Sequence, residues 1–256
     1  RPNISKELKV DIHQALALDY EKINQFSKAK NEADQVLQIE KRNIWALQYL
    51  LFLSEKEENW DQAVGLTKQI QKITGKHDPD DLARFQVYKG LEKLKSGFPD
   101  EARSFFNKAL KSSPDFGLPY RYLGDVFEQI RDLVKAVESW ESFAVRDIKN
   151  ASLVFGKIES ALFDLGRYSE VENFYRRILE IDSSNFEAII RLANVLEEKG
   201  EDGAALSLIE DAIDPQSIDV RGEIMKLKLS LTTSTPVELS HQIDSILEKL
   251  SDAKDS

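Results

Sequence analysis

The chain has 256 residues, a formal net charge of −10 and a hydrophobic fraction of 41%, the balance of a soluble globular protein. The charge argues against binding nucleic acid through a broadly basic surface. The absence of cysteine excludes disulfides, cysteine zinc sites and thiol nucleophiles. No apolar run reaches the roughly 18 residues needed to span a bilayer, and glycine and proline are too scarce for many short strands, so the chain reads as all-α.

In chain order, residues that allow close helix approach recur in pairs 12 positions apart. Ala17 pairs with Ala29, and Leu51 with Ala63 is a poorer match. A linker, residues 75–81, interrupts the series. Gly90 with Ala102 and Gly124 with Ala136 follow, then Glu159 with Val171, again poorer, and Ala193 with Ala205. The second members are spaced by 34, 39, 34, 35 and 34 residues, and the linker absorbs the long interval. Side chains 12 apart across a short turn face each other on two antiparallel helices, and small ones let the axes approach. Phe106, Trp140, Tyr175 and Ile209 each lie four past the second member and continue the same helix face. Turn chemistry agrees: Gly97 fits a C-cap and Pro99 a helix start, Gly166 and Gly200 occupy equivalent turns, and Ser112-Ser113-Pro114-Asp115 and Asp182-Ser183-Ser184-Asn185 separate units.

A repeat of 34 residues is the tetratricopeptide period. Residues 166–182 and 97–114 resemble the second helix of that repeat, the latter including the closing proline. The resemblance covers about residues 8–213. It implies a right-handed superhelical solenoid of about six helical hairpins, and it is silent on function, because this architecture serves many tasks. The expected organisation is a solenoid over 1–214 with the insertion at 75–81. A degenerate capping hairpin then covers 215–250, and 251–256 form a disordered tail. Within the capping hairpin, 219–231 and 237–250 read as helices around a turn at 232–236. The last helix also admits a partner-binding reading.

A narrower resemblance follows from the order of Tyr20, residues 26–29, the aromatic run from Trp45 to Phe52, residues 58–64 and the insertion. This order is similar to the middle of the lipopolysaccharide assembly protein B family. Those proteins carry an N-terminal membrane anchor, a cytoplasmic repeat array and a C-terminal metal domain with paired cysteines. Members are adaptors between an inner-membrane protease and the enzyme committing carbon to lipid A. The present chain has neither an anchor segment nor a CxxC pair and begins at Arg1 rather than Met, which reads as a trimmed chain. The resemblance implies a cytoplasmic array held at the inner membrane by a segment absent here.

Chemistry is hard to place. His13, His77 and His241 fall in separate elements. His77 with Asp78, Asp80 and Asp81 reads as a solvated linker whose acids suit the next helix N-terminus, ahead of a weak cation site. Phosphate-loop, dinucleotide, serine-elbow and zincin motifs are absent. No cofactor, metal or catalytic residue is expected, and the chain reads as not an enzyme.

Tetratricopeptide arrays usually bind along the concave face lined by the first helix of each hairpin. The residues expected there are Trp45, Tyr49, Phe52, Arg84, Tyr88, Arg121, Tyr122, Asp125, Lys157, Arg191 and Asn194. The aromatics read equally as partner anchors or as core between hairpins. The series Arg84, Arg121, Lys157 and Arg191 reads either as ordinary surface charge or as a cationic ladder for an acidic or extended partner segment. Gln14 and Leu18 stand where some co-chaperones place a carboxylate clamp, so that pattern is absent. The functional reading is a non-catalytic protein-binding scaffold, with no membrane contact within this chain. The alternative is a structural or self-associating part of an envelope assembly machine.

Overall fold

A computed structural model describes residues 5–212, 220–230 and 235–252. Among these the chain forms fourteen α-helices and one 3-10 helix. They run as α1 (Lys6–Lys22) and α2 (Phe26–Ile39), α3 (Ile44–Lys56) and α4 (Trp60–Thr74), then α5 (Pro79–Lys95) and α6 (Pro99–Ser112). Next come α7 (Leu118–Gln129) and α8 (Leu133–Arg146), then α9 (Phe155–Asp164) and α10 (Ser169–Ile181). The last are α11 (Phe186–Glu198) and α12 (Asp202–Ala212), then α13 (Val220–Ser230) and α14 (Pro236–Asp252). The all-α hairpin architecture is the one expected. The chain divides into two compact units, residues 1–119 and 120–256.

One turn geometry builds every hairpin of the repeat. The residues with positive φ are Asn24, Glu58, Gly97, Arg131, Gly166 and Gly200, together with Gly75 in the linker. The first six stand at the repeat spacing. After each, the next N–H donates to the carbonyl five residues before it: Gln25 to Tyr20, Asn59 to Ser54, Phe98 to Lys93, Asp132 to Phe127, Arg167 to Leu162 and Glu201 to Leu196, all at 2.8–2.9 Å. This left-handed closure satisfies carbonyls that the helix end leaves open. Three hairpins use glycine there, one uses Asn24, which tolerates it, and Glu58 and Arg131 carry side chains that strain it. Arg131→Gly is therefore expected to raise stability by about 0.5–1 kcal/mol, and Gly166→Ala to lower it by about 1 kcal/mol. Thermal unfolding followed by circular dichroism checks both signs.

Helix starts are capped in the ordinary way. Asn43 and Asn185 accept from the N–H of Ala46 at 3.0 Å and of Ala188 at 3.1 Å. Asp78 accepts from the N–H of Asp80, and Pro79 opens α5, so the linker acids serve the helix N-terminus. Between α8 and α9 lies the 3-10 helix Ile148–Val154, which buries Ala151 and Val154. No proline turn separates these hairpins. Apolar residues fill the gap, and tight i→i+3 bonds hold the connection while it packs.

The glycines of the pairs 12 apart face a residue four further along the second helix. A Cβ built on Gly90 would lie 2.4 Å from the Phe106 ring, and one on Gly124 would lie 2.3 Å from the Trp140 ring. Glycine clears space for the aromatic ring, not for the facing backbone. Phe106 and Trp140 are fully buried. In the unit of residues 1–119 the core joins Ala17, Ala29, Leu47, Tyr49, Leu50 and Leu53. In the other unit it runs through Trp140, Phe155, Tyr175, Ile189 and Ile209 to Met225 and Leu229 on α13.

Of the two C-terminal helices, α13 covers 220–230 of the expected 219–231, whereas α14 covers the expected 237–250 and extends to Pro236 and Asp252, residues expected in the turn and the tail. Thr235 and Glu238 form a reciprocal cap at the start of α14. The expected turn residues 232–234 and the tail residues 253–256 lie outside the described residues, as do residues 213–219.

Candidate functional site on the first helices

All eleven candidate residues sit on the first helix of a hairpin. In the unit of residues 1–119, α3 carries Trp45, Tyr49 and Phe52, and α5 carries Arg84 and Tyr88. The Trp45 and Tyr49 rings stack at 5.0 Å and 6°. Tyr49 is only 8% exposed, and its hydroxyl donates to the Ala17 carbonyl of α1 at 3.0 Å. It is a core residue tying one hairpin to the next. Burial, then the neighbouring Glu21 carboxylate, hold its hydroxyl above the ordinary tyrosine range. Phe52 is exposed, with Lys56 above its ring. Tyr88 packs against Trp60 at 4.8 Å and lines a cavity of about 420 Å³ with Glu58, Leu91 and Glu92.

The cations are mostly committed. Arg84 binds Glu55 of α3 at 2.5 Å. In the unit of residues 120–256, Lys157 of α9 binds Asp125 of α7 at 2.7 Å, and Arg191 of α11 binds Glu159 of α9 at 2.6 Å. Each pair joins the first helix of one hairpin to that of the hairpin before it. Asp125 also accepts from the indole N–H of the buried Trp140 at 3.0 Å. Arg121 differs: it lies over the Tyr122 ring, and among the described residues no ion pair is recorded for it. The ladder is thus largely a set of interhelical ties, its charge neutralised within the chain. Because these pairs are part-exposed, each contributes on the order of 1 kcal/mol or less.

Glu159 is the residue that the 12-residue pairing left as a misfit, and its environment explains why it is there. Its carboxylate accepts the hydroxyl proton of the fully buried Tyr175 at 2.6 Å on one oxygen and the Arg191 guanidinium at 2.6 Å on the other. Arg191 binds Glu187 as well, at 2.8 Å. Burial, then the Glu159 hydrogen bond, push the Tyr175 hydroxyl well above its ordinary range. Burial works against the Arg191 charge, but the Glu187 hydrogen bond and the Glu159 charge outweigh it and hold the guanidinium above its ordinary range.

Over this network lies a cavity of about 530 Å³ formed by α9 and α11 with a contribution from α13. It brings together Arg191 and Asn194 of the expected set. Tyr88 belongs to the other unit's cavity, and Lys157 and Asp125 line neither. Sequence reasoning missed Glu159, Phe163 and Glu187, all of which line the larger cavity. The broken small-residue pattern at Glu159 was the signal available. Phe163 had none, since an apolar residue late in a helix reads as core. Among the described residues, no helix is long and apolar enough to cross a membrane, and no group of three or more histidines or carboxylates is placed to hold a metal ion.

These repeating hairpins, closed by one turn geometry at the tetratricopeptide period, define a tetratricopeptide-like helical array. In sequence the chain is similar to lipopolysaccharide assembly protein B of Escherichia coli K12. The two are 23% identical over 192 residues, covering 75% of this chain and 49% of that protein. The Haemophilus influenzae protein of the same name is 26% identical over 205 residues, covering 80% of this chain and 51% of its own length. The chain thus spans about half the length of the curated relatives it matches. Among solved structures, the crystal structure of MamA superposes with a TM-score of 0.46 at 21% identity, covering 65% of this chain and 97% of MamA. No family model matches the chain.

Proposed function

We propose that this chain is a non-catalytic protein-binding adaptor whose first-helix face holds a segment of a partner protein. We place its work in lipopolysaccharide synthesis, on the cytoplasmic side of the inner membrane, with anchoring supplied by a segment outside this chain. The observation that carries the first statement is the cavity over α9 and α11. There Arg191 and Asn194 of successive helical turns meet an apolar wall of Phe163, Ile190 and Val195, a concave, partly polar surface of the kind that ligands fill. Similarity to lipopolysaccharide assembly protein B supports the second statement.

Site-specific photocrosslinking tests the reading. A photoreactive residue at position 194 or 88 is expected to capture a defined partner protein in cells that make lipopolysaccharide. The same group at Lys111, exposed on the second helix α6, is expected not to. Equal capture from position 111 sinks the first-helix assignment. Capture of a second copy of this chain instead favours the self-associating alternative.

A further inference from the structure

We infer that the groove over α9 and α11 takes an extended, basic peptide segment anchored by an apolar side chain. This rests on the adaptor reading above and names the chemistry of its partner.

Three observations converge on it. The first is extent. The 530 Å³ cavity adjoins a second of about 360 Å³ toward the α9–α10 turn, and the two share Phe163, Val171, Val195 and Glu198. Together they form a continuous trough across one hairpin stack.

The second is an unsatisfied apolar wall. Phe163 and Tyr168 are 46% and 59% exposed, with their rings 5.2 Å apart and tilted at 54°. Two large aromatics packed on each other at the rim, not in the core, supply rigid contact area at low entropic cost, the usual character of an anchoring pocket.

The third is charge. Glu159, Glu187, Glu197 and Glu198 line the larger cavity against Arg191 and Lys228, so carboxylates outnumber cations on its wall. The cations are also the committed members. Arg191 is held by Glu159 and Glu187, and Lys228 by Glu197. Glu198 is exposed, and among the described residues no ion pair is recorded for it. An arriving carboxylate would have to displace a bonded one to reach Arg191. An arriving ammonium or guanidinium meets a field already negative. Among the described residues no three of these acids are grouped to hold a metal ion.

The test uses the full chain and two fluorescein-labelled octapeptides. One alternates lysine and leucine around a central phenylalanine, and the other has glutamate in place of lysine. At low ionic strength, fluorescence anisotropy is expected to show the basic probe binding at least about tenfold tighter than the acidic one. Glu198→Lys is expected to weaken the basic probe by about tenfold. Asp115→Lys, an equal charge change on an exposed turn of the other unit, is expected to alter it less than about twofold. Tyr168→Ser is expected to weaken the basic probe as well, which attraction to a generally acidic protein would not produce. Equal or tighter binding of the acidic probe overturns the inference, as does an equal response to Glu198→Lys and Asp115→Lys. If crosslinking from position 194 still captures a partner while the probes show no charge preference, the basic-segment inference fails and the adaptor reading stands. If crosslinking fails but the probes obey the variants, the groove chemistry stands and the adaptor reading falls.

Discussion

Gly124→Ala is expected to lower the stability of the unit of residues 120–256 by about 1–2 kcal/mol, although alanine is the better helix former. The helix propensity gained is about 1 kcal/mol. Against it stands the added methyl, whose Cβ would lie 2.3 Å from Cδ1 and Nε1 of Trp140. Trp140 is fully buried and held by its indole N–H on Asp125. The ring cannot swing aside without breaking that bond or overpacking its neighbours, a change that typically costs about 1–3 kcal/mol or more. Two controls isolate the cause. Gly65→Ala in α4 meets nothing within 4 Å and is expected to stabilise by about 0.5–1 kcal/mol. In a Trp140→Leu background the penalty of Gly124→Ala is expected to shrink to under about 1 kcal/mol, since the clashing ring is gone. Urea unfolding of the parent and the four variants measures this. A Gly124→Ala variant as stable as the parent would mean that the ring has room the structure does not show. Because the chain divides into two units, amide exchange on α7–α10 is the better probe if the units unfold separately.

This prediction marks how far the sequence reaches. The recurrence of small-residue pairs, clear in four hairpins and poorer in two, and of the turns between helices was readable because helix-hairpin packing repeats a steric demand at a near-constant spacing. Gly97, Gly166 and Gly200 announced their turns by composition, whereas Glu58 and Arg131 adopt the same backbone with residues that carry no such signal. The Gly124–Trp140 and Gly90–Phe106 fits lie 16 residues apart, a complementarity of volume that appears only once both helices are placed. Interhelical ties are harder still. Lys157 and Arg191 were visible as one cation per unit, but their carboxylates, Asp125 and Glu159, lie 32 residues earlier on another helix. Charge spacing along one chain does not reveal pairing across hairpins. The same limit hid the aromatic rim of Phe163 and Tyr168, because exposure is decided by what the neighbouring hairpin leaves uncovered.

Glu159→Ala is the second substitution with a large expected effect, about 2–3 kcal/mol of lost stability. Glu159 stands where neighbouring hairpins place glycine or alanine, so steric reasoning alone would make alanine an improvement. The hydrogen bonds decide otherwise. Removing the carboxylate leaves the Tyr175 hydroxyl buried without its acceptor, a penalty of about 1–3 kcal/mol, and cuts the tie from α9 to Arg191. Glu187 still holds the guanidinium, which keeps the loss below that of an isolated buried charge. Glu159→Gln keeps an acceptor for Tyr175 and is expected to cost about 1 kcal/mol. Tyr175→Phe separates the two partners: it removes the donor without emptying the packed volume against Phe155, whose ring meets Tyr175 edge-on at 5.2 Å. The pH response supplies a further sign. The Tyr175 hydroxyl is held above its ordinary value of about 10, so the folded chain favours the protonated form. Its contribution is complete below the unfolded-state value and is lost as pH rises beyond it. Stability measured from pH 8 to 11 should therefore fall at the alkaline end in the parent, and fall less in Tyr175→Phe, with Tyr49 supplying the remainder. Identical alkaline profiles would show that this hydroxyl is not buried in the folded chain. The Glu159 bond joining the core to the groove would then not exist.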